Sequence, residues 1–268
     1  MRVRYSFSSR RTGNIDSSNQ HKTTIPELIK KILEDCDIIL EVLDARFPQE
    51  TRNFELEKLI EKQEKKIIFV LNKSDTSNKQ INLYPSVRVS CKNKTGKQEL
   101  LSLIKQEASK INKPRIYLGI IGYPNTGKSS LINFLTNTEK ARVSREAGFT
   151  KGKQKIKLLP GILLLDTPGV IPESENSATS HKDLVKHSKI SVRTYDKVKD
   201  PEFVVSELIK QYPNKIEKFY NIQANGNAEI LLEELGKRKN YFKKHGEIDI
   251  DKTSRIIIRD FQSGKIKI

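Results

Sequence analysis

Between residues 117 and 134 the chain reads Tyr117-Leu-Gly-Ile-Ile121, then Gly122-Tyr-Pro-Asn-Thr-Gly127-Lys128-Ser129, then Ser130-Leu-Ile-Asn-Phe134. No other stretch restricts the possible folds so much. An apolar run of strand length, a loop with a glycine at each end and a Lys-Ser pair, and a helical run specify a strand-loop-helix unit whose backbone N–H groups converge on one point. Such a nest suits a phosphate group. Gly122 and Gly127 let the backbone curl, Lys128 reaches the β- and γ-phosphates, and the Ser129 hydroxyl is a ligand for Mg²⁺. Asn125, Thr126 and Ser130 complete the nucleotide-binding set on the loop and the first helical turn. A chance match in a chain of this length is on the order of one in a hundred from average residue usage, so the loop is read as functional.

A loop of this kind belongs at the carboxyl end of a parallel strand, and the chain supplies the companion strands. Ile38 to Leu43, Lys66 to Leu71, Val87 to Ser90, Ile116 to Ile121 and Ile162 to Leu165 are short apolar runs. Between them, helical spacing predicts about ten residues of helix from Thr24, then Asn53 to Glu64, Leu100 to Ala108 and Ser129 to Phe134. The alternation predicts an α/β fold, a mostly parallel sheet with helices on both faces. After about Ser180 the strand-like runs stop, and helical patterns occupy Phe203 to Gln211, Ala228 to Gly236 and Lys252 to Phe261. The organisation expected is a basic arm over 1–23, a nucleotide-binding domain over 24–180 and a small all-α domain over 181–268.

Charge narrows the partners. The chain carries 50 Lys and Arg against 33 Asp and Glu, a net charge of +17, well beyond the magnitude of about 2 to 8 that solubility asks of a small domain. An anionic macromolecule is expected, with nucleic acid leading. Lys237-Arg238-Lys239, Lys243-Lys244, Arg255 and Arg259 place part of that charge in the helical segment. The two cysteines, Cys36 and Cys91, have no metal-ligand spacing and fit a reducing, cytoplasmic setting. No apolar run approaches the roughly 20 residues of a membrane span, so no membrane partner is expected.

Base specificity is read from Asn72-Lys73-Ser74-Asp75, at the end of the run Ile67-Ile-Phe-Val-Leu71. The Asp75 carboxylate can accept from the N1–H and the 2-amino group of guanine, Asn72 can serve N7, and the Lys73 stem can lie against the base plane. Adenine lacks that donor pair and would leave Asp75 unpaired. Ser90-Cys91-Lys92 ends the next strand and fits a companion loop whose backbone N–H meets guanine O6. Asp166-Thr-Pro-Gly169 ends a further apolar run: Asp166 can hold the Mg²⁺ hydration shell, Gly169 can offer its N–H to a γ-phosphate, and Thr150 is a third candidate Mg²⁺ ligand. The chain order is therefore guanine loops first and phosphate loop second, rotated relative to the usual GTPase. The site can still assemble, because each loop follows a strand's carboxyl end. The rotation also leads the segment after Gly169 straight into the helical part, so GTP state is expected to reposition that part.

Taken together, the Asp44-Ala45-Arg46-Phe47-Pro48 element, the phosphate loop, Asp166-Thr-Pro-Gly169 and the segment Asp251 to Phe261 resemble the circularly permuted ribosome-assembly GTPases of the YlqF/RbgA type over nearly the full length. The resemblance implies a circularly permuted P-loop GTPase domain, followed by a small helical RNA-binding domain. It also implies a GTP hydrolase acting as a monomer on the large ribosomal subunit, with slow turnover stimulated by that subunit. Many small GTPases carry a water-orienting glutamine after Asp-x-x-Gly, where this chain has Val170. The family is thought to compensate with K⁺ held by the loop asparagine, here Asn125, and with a catalytic histidine from the amino-terminal arm. His21 has the matching spacing ahead of Asp44, between Gln20 and Lys22 where the family has glycine and methionine. Ala147 replaces the usual proline before the switch glycine, and the short stretch from Asp75 to Ser90 leaves no room for a helix common in relatives. Two rival readings use the same residues: a GTPase acting on transfer RNA or a membrane surface, and a GTP-dependent RNA-binding protein with little hydrolysis.

Overall fold

The computed structural model describes residues 30, 33–77, 81–137, 155–165 and 181–268. The basic arm with His21, most of the helix expected from Thr24, and Thr150, Asp166 and Gly169 lie outside the described residues. Residues 30 and 33–35 are helical.

Strand β1 (Ile38–Asp44) is buried at every position and leads through Asn53, whose side chain accepts from Leu56 N–H, into α1 (Phe54–Lys62). There follow β2 (Lys66–Asn72), β3 (Ser86–Arg88), α2 (Lys97–Ser109), β4 (Ile116–Ile121), α3 (Lys128–Thr136), β5 (Lys155–Leu159) and β6 (Ile162–Leu165). They form a six-stranded sheet in the order β3-β2-β1-β4-β6-β5. β5 is antiparallel to β6, and the remaining pairs are parallel. β5 is not among the strands that the sequence pattern predicts. Among the described residues between Asp75 and Ser90 there is a single 3₁₀ turn and no α-helix.

The two faces of the sheet bury separate apolar sets, as the period of two along a strand requires. Ile38, Leu40 and Val42 pack with Leu100 and Ile104 of α2 and with Leu131, Ile132 and Leu135 of α3. Ile39 packs on the opposite face with Leu33, Leu56 and Ile60.

The helical part comprises α4 (His181–Lys189), α5 (Pro201–Gln211), α6 (Lys215–Tyr220), α7 (Ala228–Arg238) and α8 (Ile250–Gln262). Asp200, Asn227 and Asp249 accept from the first-turn N–H groups of α5, α7 and α8, each cap stabilising its helix by about 1 kcal/mol. This part is continuous with the sheet. Phe47 and Tyr123, from the loops after β1 and β4, are buried in one cluster with Val204, Leu208, Ile257 and Phe261. Phe47 stacks on Phe261 with ring centroids 6.0 Å apart. Among the described residues, no helix is long and apolar enough to cross a membrane.

Candidate nucleotide-binding site

β1 and β4 lie side by side while the chain leaves them in opposite directions, β1 toward β2 and β3, β4 toward β6. In an open α/β sheet the crevice at the carboxyl ends of such a pair receives ligands. The loop Gly122 to Gly127 lies there, and the loops after β2 and β3 flank it.

Gly122, Asn125 and Gly127 all have positive φ, at 144°, 61° and 100°, which bends the backbone into the anion-binding curl and delivers the chain to the amino end of α3. Gly127 has a further reason to lack a side chain: a Cβ there would lie 2.2 Å from Asn72 Nδ2. The Lys128 ammonium donates to the carbonyls of Gly122 and Tyr123, at 3.0 and 2.7 Å. To grip a phosphate it must exchange those bonds. Ser129 and Ser130 follow on the first turn of α3, both half-buried.

The base-reading side is tied to this loop. Asn72 ends β2 and donates from Nδ2 to the Thr126 carbonyl at 2.8 Å, while its Oδ1 accepts from Cys91 N–H at 3.5 Å. One side chain thus joins three loops, a role that the sequence pattern does not reveal. Lys73 adopts left-handed φ of 61° and donates to Asp44 Oδ2 at 2.9 Å. The Ser90 hydroxyl donates to Asp75 Oδ1 at 2.6 Å and accepts from Asn93 N–H at 3.1 Å. Ser74 N–H donates to the Val89 carbonyl at 3.1 Å, which fixes the spacing of the two loops. Ser74 is half-buried, whereas Lys92 points to solvent. Burial pushes the Cys91 thiol up to about 12, with the Asp75 charge adding to the effect, so it remains a thiol. Asp44 is buried, which alone would raise its pKa, yet the charges and hydrogen bonds of Lys73 and Arg46 hold it well below the usual carboxylate range. The Asn125 amide donates to the Ser191 carbonyl at 2.6 Å and so reaches the helical part.

Three strands therefore end in Asp44, Asn72 and the phosphate loop, with the residues that the sequence suggests for guanine earlier in the chain than the loop. The family profile described as "50S ribosome-binding GTPase" matches residues 117–232. An uncharacterised GTP-binding protein of Methanocaldococcus jannaschii is 37% identical over 253 residues, covering 91% of this chain and 66% of that protein. The chain belongs to the circularly permuted GTPases. The nucleolar GTP-binding protein 2 of Saccharomyces cerevisiae is 33% identical over 269 residues, covering 94% of this chain and 54% of that protein. The chain thus spans two thirds or less of the length of these relatives. In fold, it resembles the GNP-bound YlqF of T. maritima with a TM-score of 0.62 and 22% identity, over 89% of this chain and 93% of that one.

Circularly permuted GTPases, like other P-loop GTPases, use Mg²⁺. The described donors fit that ion: Ser129 presents a hard hydroxyl oxygen at the amino end of α3, beside the loop that would hold the phosphates. For K⁺ the fitting atom is the amide oxygen of Asn125, whose backbone is held in the left-handed region and whose nitrogen is engaged by Ser191. His21, Thr150, Asp166 and Gly169, the remaining sequence candidates, lie outside the described residues.

Proposed function

We propose that this protein binds GTP and GDP with Mg²⁺, hydrolyses GTP slowly, and serves as an assembly factor of the large ribosomal subunit. The observation that carries the reading is the Asn72 side chain, which bonds the phosphate loop with one end and the Ser90-Cys91-Lys92 loop with the other. A scaffold that bound only phosphates would not need that joint. In the bound state Asp75 would read guanine N1–H and the 2-amino group, Lys73 would cover the base plane, and Lys128 would move from its loop carbonyls to the β- and γ-phosphates. Ser129, Thr150 and Asp166 would hold Mg²⁺, which would supply charge neutralisation at the transferring phosphoryl group. Gly169 would offer its N–H to the γ-phosphate, Asn125 would hold K⁺, and His21 would take the place of the missing glutamine in orienting water.

In the domain organisation proposed, residues 24–180 carry the nucleotide and residues 181–268 dock on RNA as part of a monomer. Support for the second role comes from the surface around the turn between α7 and α8, where Phe242 is 49% exposed among Lys239, Lys243 and Lys244, all exposed. An aromatic face among cations is the chemistry that single-stranded or looped RNA selects.

The test is GTP turnover in K⁺ and in Na⁺ buffer, with and without purified large ribosomal subunits, for the wild type and His21→Ala. Stimulation by subunits and K⁺, lost in the variant, is expected. Turnover that no subunit alters, combined with retained RNA binding, would leave a GTP-dependent RNA-binding protein and overturn the assembly-GTPase reading.

A further inference from the structure

β1 ends in a charged pair that the nucleotide loops do not explain. Asp44 and Arg46 each expose 1% of their side chains. Arg46 donates to Asp44 Oδ1 from its backbone N–H and from Nε, both at 3.0 Å, and to Oδ2 from Nη2 at 2.7 Å. The remaining bonds of the guanidinium run to another part of the molecule: Nη1 to the Phe261 carbonyl at 2.8 Å and Nη2 to the Gln262 carbonyl at 3.4 Å. Those are the last carbonyls of α8, where the helix dipole favours a cation. The same Oδ2 of Asp44 also accepts from Lys73 Nζ at 2.9 Å.

Burying such a group is costly unless its bonds are complete, and an apolar trio would serve packing at least as well. What the ionic arrangement adds is direction. Lys73 is a point charge on a flexible stem, and an ammonium without a fixed partner would leave that stem free to swing away from the base. Asp44 fixes the ammonium, and Arg46 fixes Asp44 against α8. A second contact joins the same two regions independently of the charges. A Cβ on Gly264, just beyond α8 at φ +75°, would lie 2.8 Å from Thr76 Cγ2 in the base-reading loop.

We propose that Asp44 and Arg46 are positioning residues for guanine recognition, which hold Lys73 across the base and seat the base-reading loop on the carboxyl end of α8. The helical part is then a structural component of nucleotide selectivity, in addition to any docking role. This inference rests on the guanine-site reading above.

The experiment measures the affinities of the 268-residue wild-type chain, Arg46→Met and Gly264→Ala for GDP, inosine diphosphate and ADP by calorimetry at a temperature where each is folded by circular dichroism. Inosine diphosphate lacks only the 2-amino group that Asp75 would read, so the GDP-to-inosine-diphosphate ratio reports loop position. A purely structural role would lower the melting temperature and leave that ratio unchanged. Arg46→Met is expected to weaken GDP binding about tenfold and to bring the ratio toward one, with Gly264→Ala shifting it in the same direction by about threefold. An unchanged ratio in folded Arg46→Met overturns the proposal. Should Arg46→Met not fold, an unchanged ratio in Gly264→Ala overturns it. A wild type that does not prefer GDP to ADP would instead sink the guanine-site reading itself.

Discussion

The two halves of the nucleotide site differ in what each must do when a nucleotide arrives. On the base-reading side, Asp75 is already oriented by Ser90, Lys73 by Asp44, and the loops are pinned to each other through Ser74 and Val89. On the phosphate side, Lys128 is engaged with two carbonyls of its own loop. In the function proposed above, base selectivity is then preorganised, whereas the phosphate grip forms by exchange of bonds. Preorganised groups contribute most of their interaction energy to affinity. Groups that exchange contribute the difference between two sets of bonds.

The largest effect should therefore come from the preorganised side. Asp75→Asn leaves the loop its shape but turns an acceptor pair toward the donor pair of guanine into one acceptor and one donor. GDP affinity is expected to fall by about a hundredfold or more. Xanthosine diphosphate, which has a carbonyl where guanine has its amino group, should bind the variant better than GDP does. Competition between the two nucleotides checks this, and an undiminished preference for GDP would contradict a preorganised base site. On the other side, Lys128→Met is expected to weaken GDP by about ten- to a hundredfold while leaving guanosine unchanged, because two carbonyl bonds offset part of the gain. An equal loss for guanosine would mean that Lys128 supports the loop rather than the phosphates.

Asn72 sharpens the comparison because it belongs to both halves. Truncation to alanine removes the bonds to Thr126 and to Cys91 N–H together, and about a tenfold loss is expected for GDP and guanosine alike. A loss confined to GDP would place Asn72 functionally on the phosphate side alone.

Much of this architecture is legible in the sequence, for definite reasons. The central strands are short apolar runs closed by polar residues, and the phosphate loop identifies itself by its glycines and Lys-Ser pair. Asn72-Lys73-Ser74-Asp75 is a contiguous motif at a strand end. What escapes the sequence is whatever depends on chain segments far apart. Arg46 finds its partner Phe261 across 215 residues, so no local pattern could assign it a role, even though the Asp44-Ala45-Arg46 element is conspicuous. β5 escapes because a sheet edge tolerates lysines that interior strands do not, and α6 because its six residues fall between asparagines in the left-handed region. The sequence assigns Asn125 to the nucleotide and to K⁺, and its bond to Ser191 is not legible there because it depends on a helical part packed beside it.

The last predicted effect is on stability rather than on binding, and it concerns two buried carboxylates on one strand that are treated in opposite ways. Asp44, on the base-reading side, is kept charged by Lys73 and Arg46. Glu41, three positions earlier, accepts from Asn53 N–H at 2.8 Å with Oε1, while Oε2 accepts no hydrogen bond among the described residues and faces Glu57. Burial, aided by the charge of Glu57 and opposed by Arg52, raises it from its ordinary 4.5 to about 8. The folded state then binds one more proton than the unfolded state between those values, so stability falls as pH rises through that window. Asp44 works in the opposite sense, and its contribution is present at neutral pH and lost on acidification. Glu41→Gln mimics the protonated acid at every pH. The variant should match the wild type near pH 5, gain on it up to about pH 8 and then level off, the full gain being on the order of ten degrees in Tm. Thermal melts at pH 5, 7 and 9 check this. A difference that is constant with pH would mean that Glu41 is charged in the folded protein, with Arg52 rather than burial setting its state.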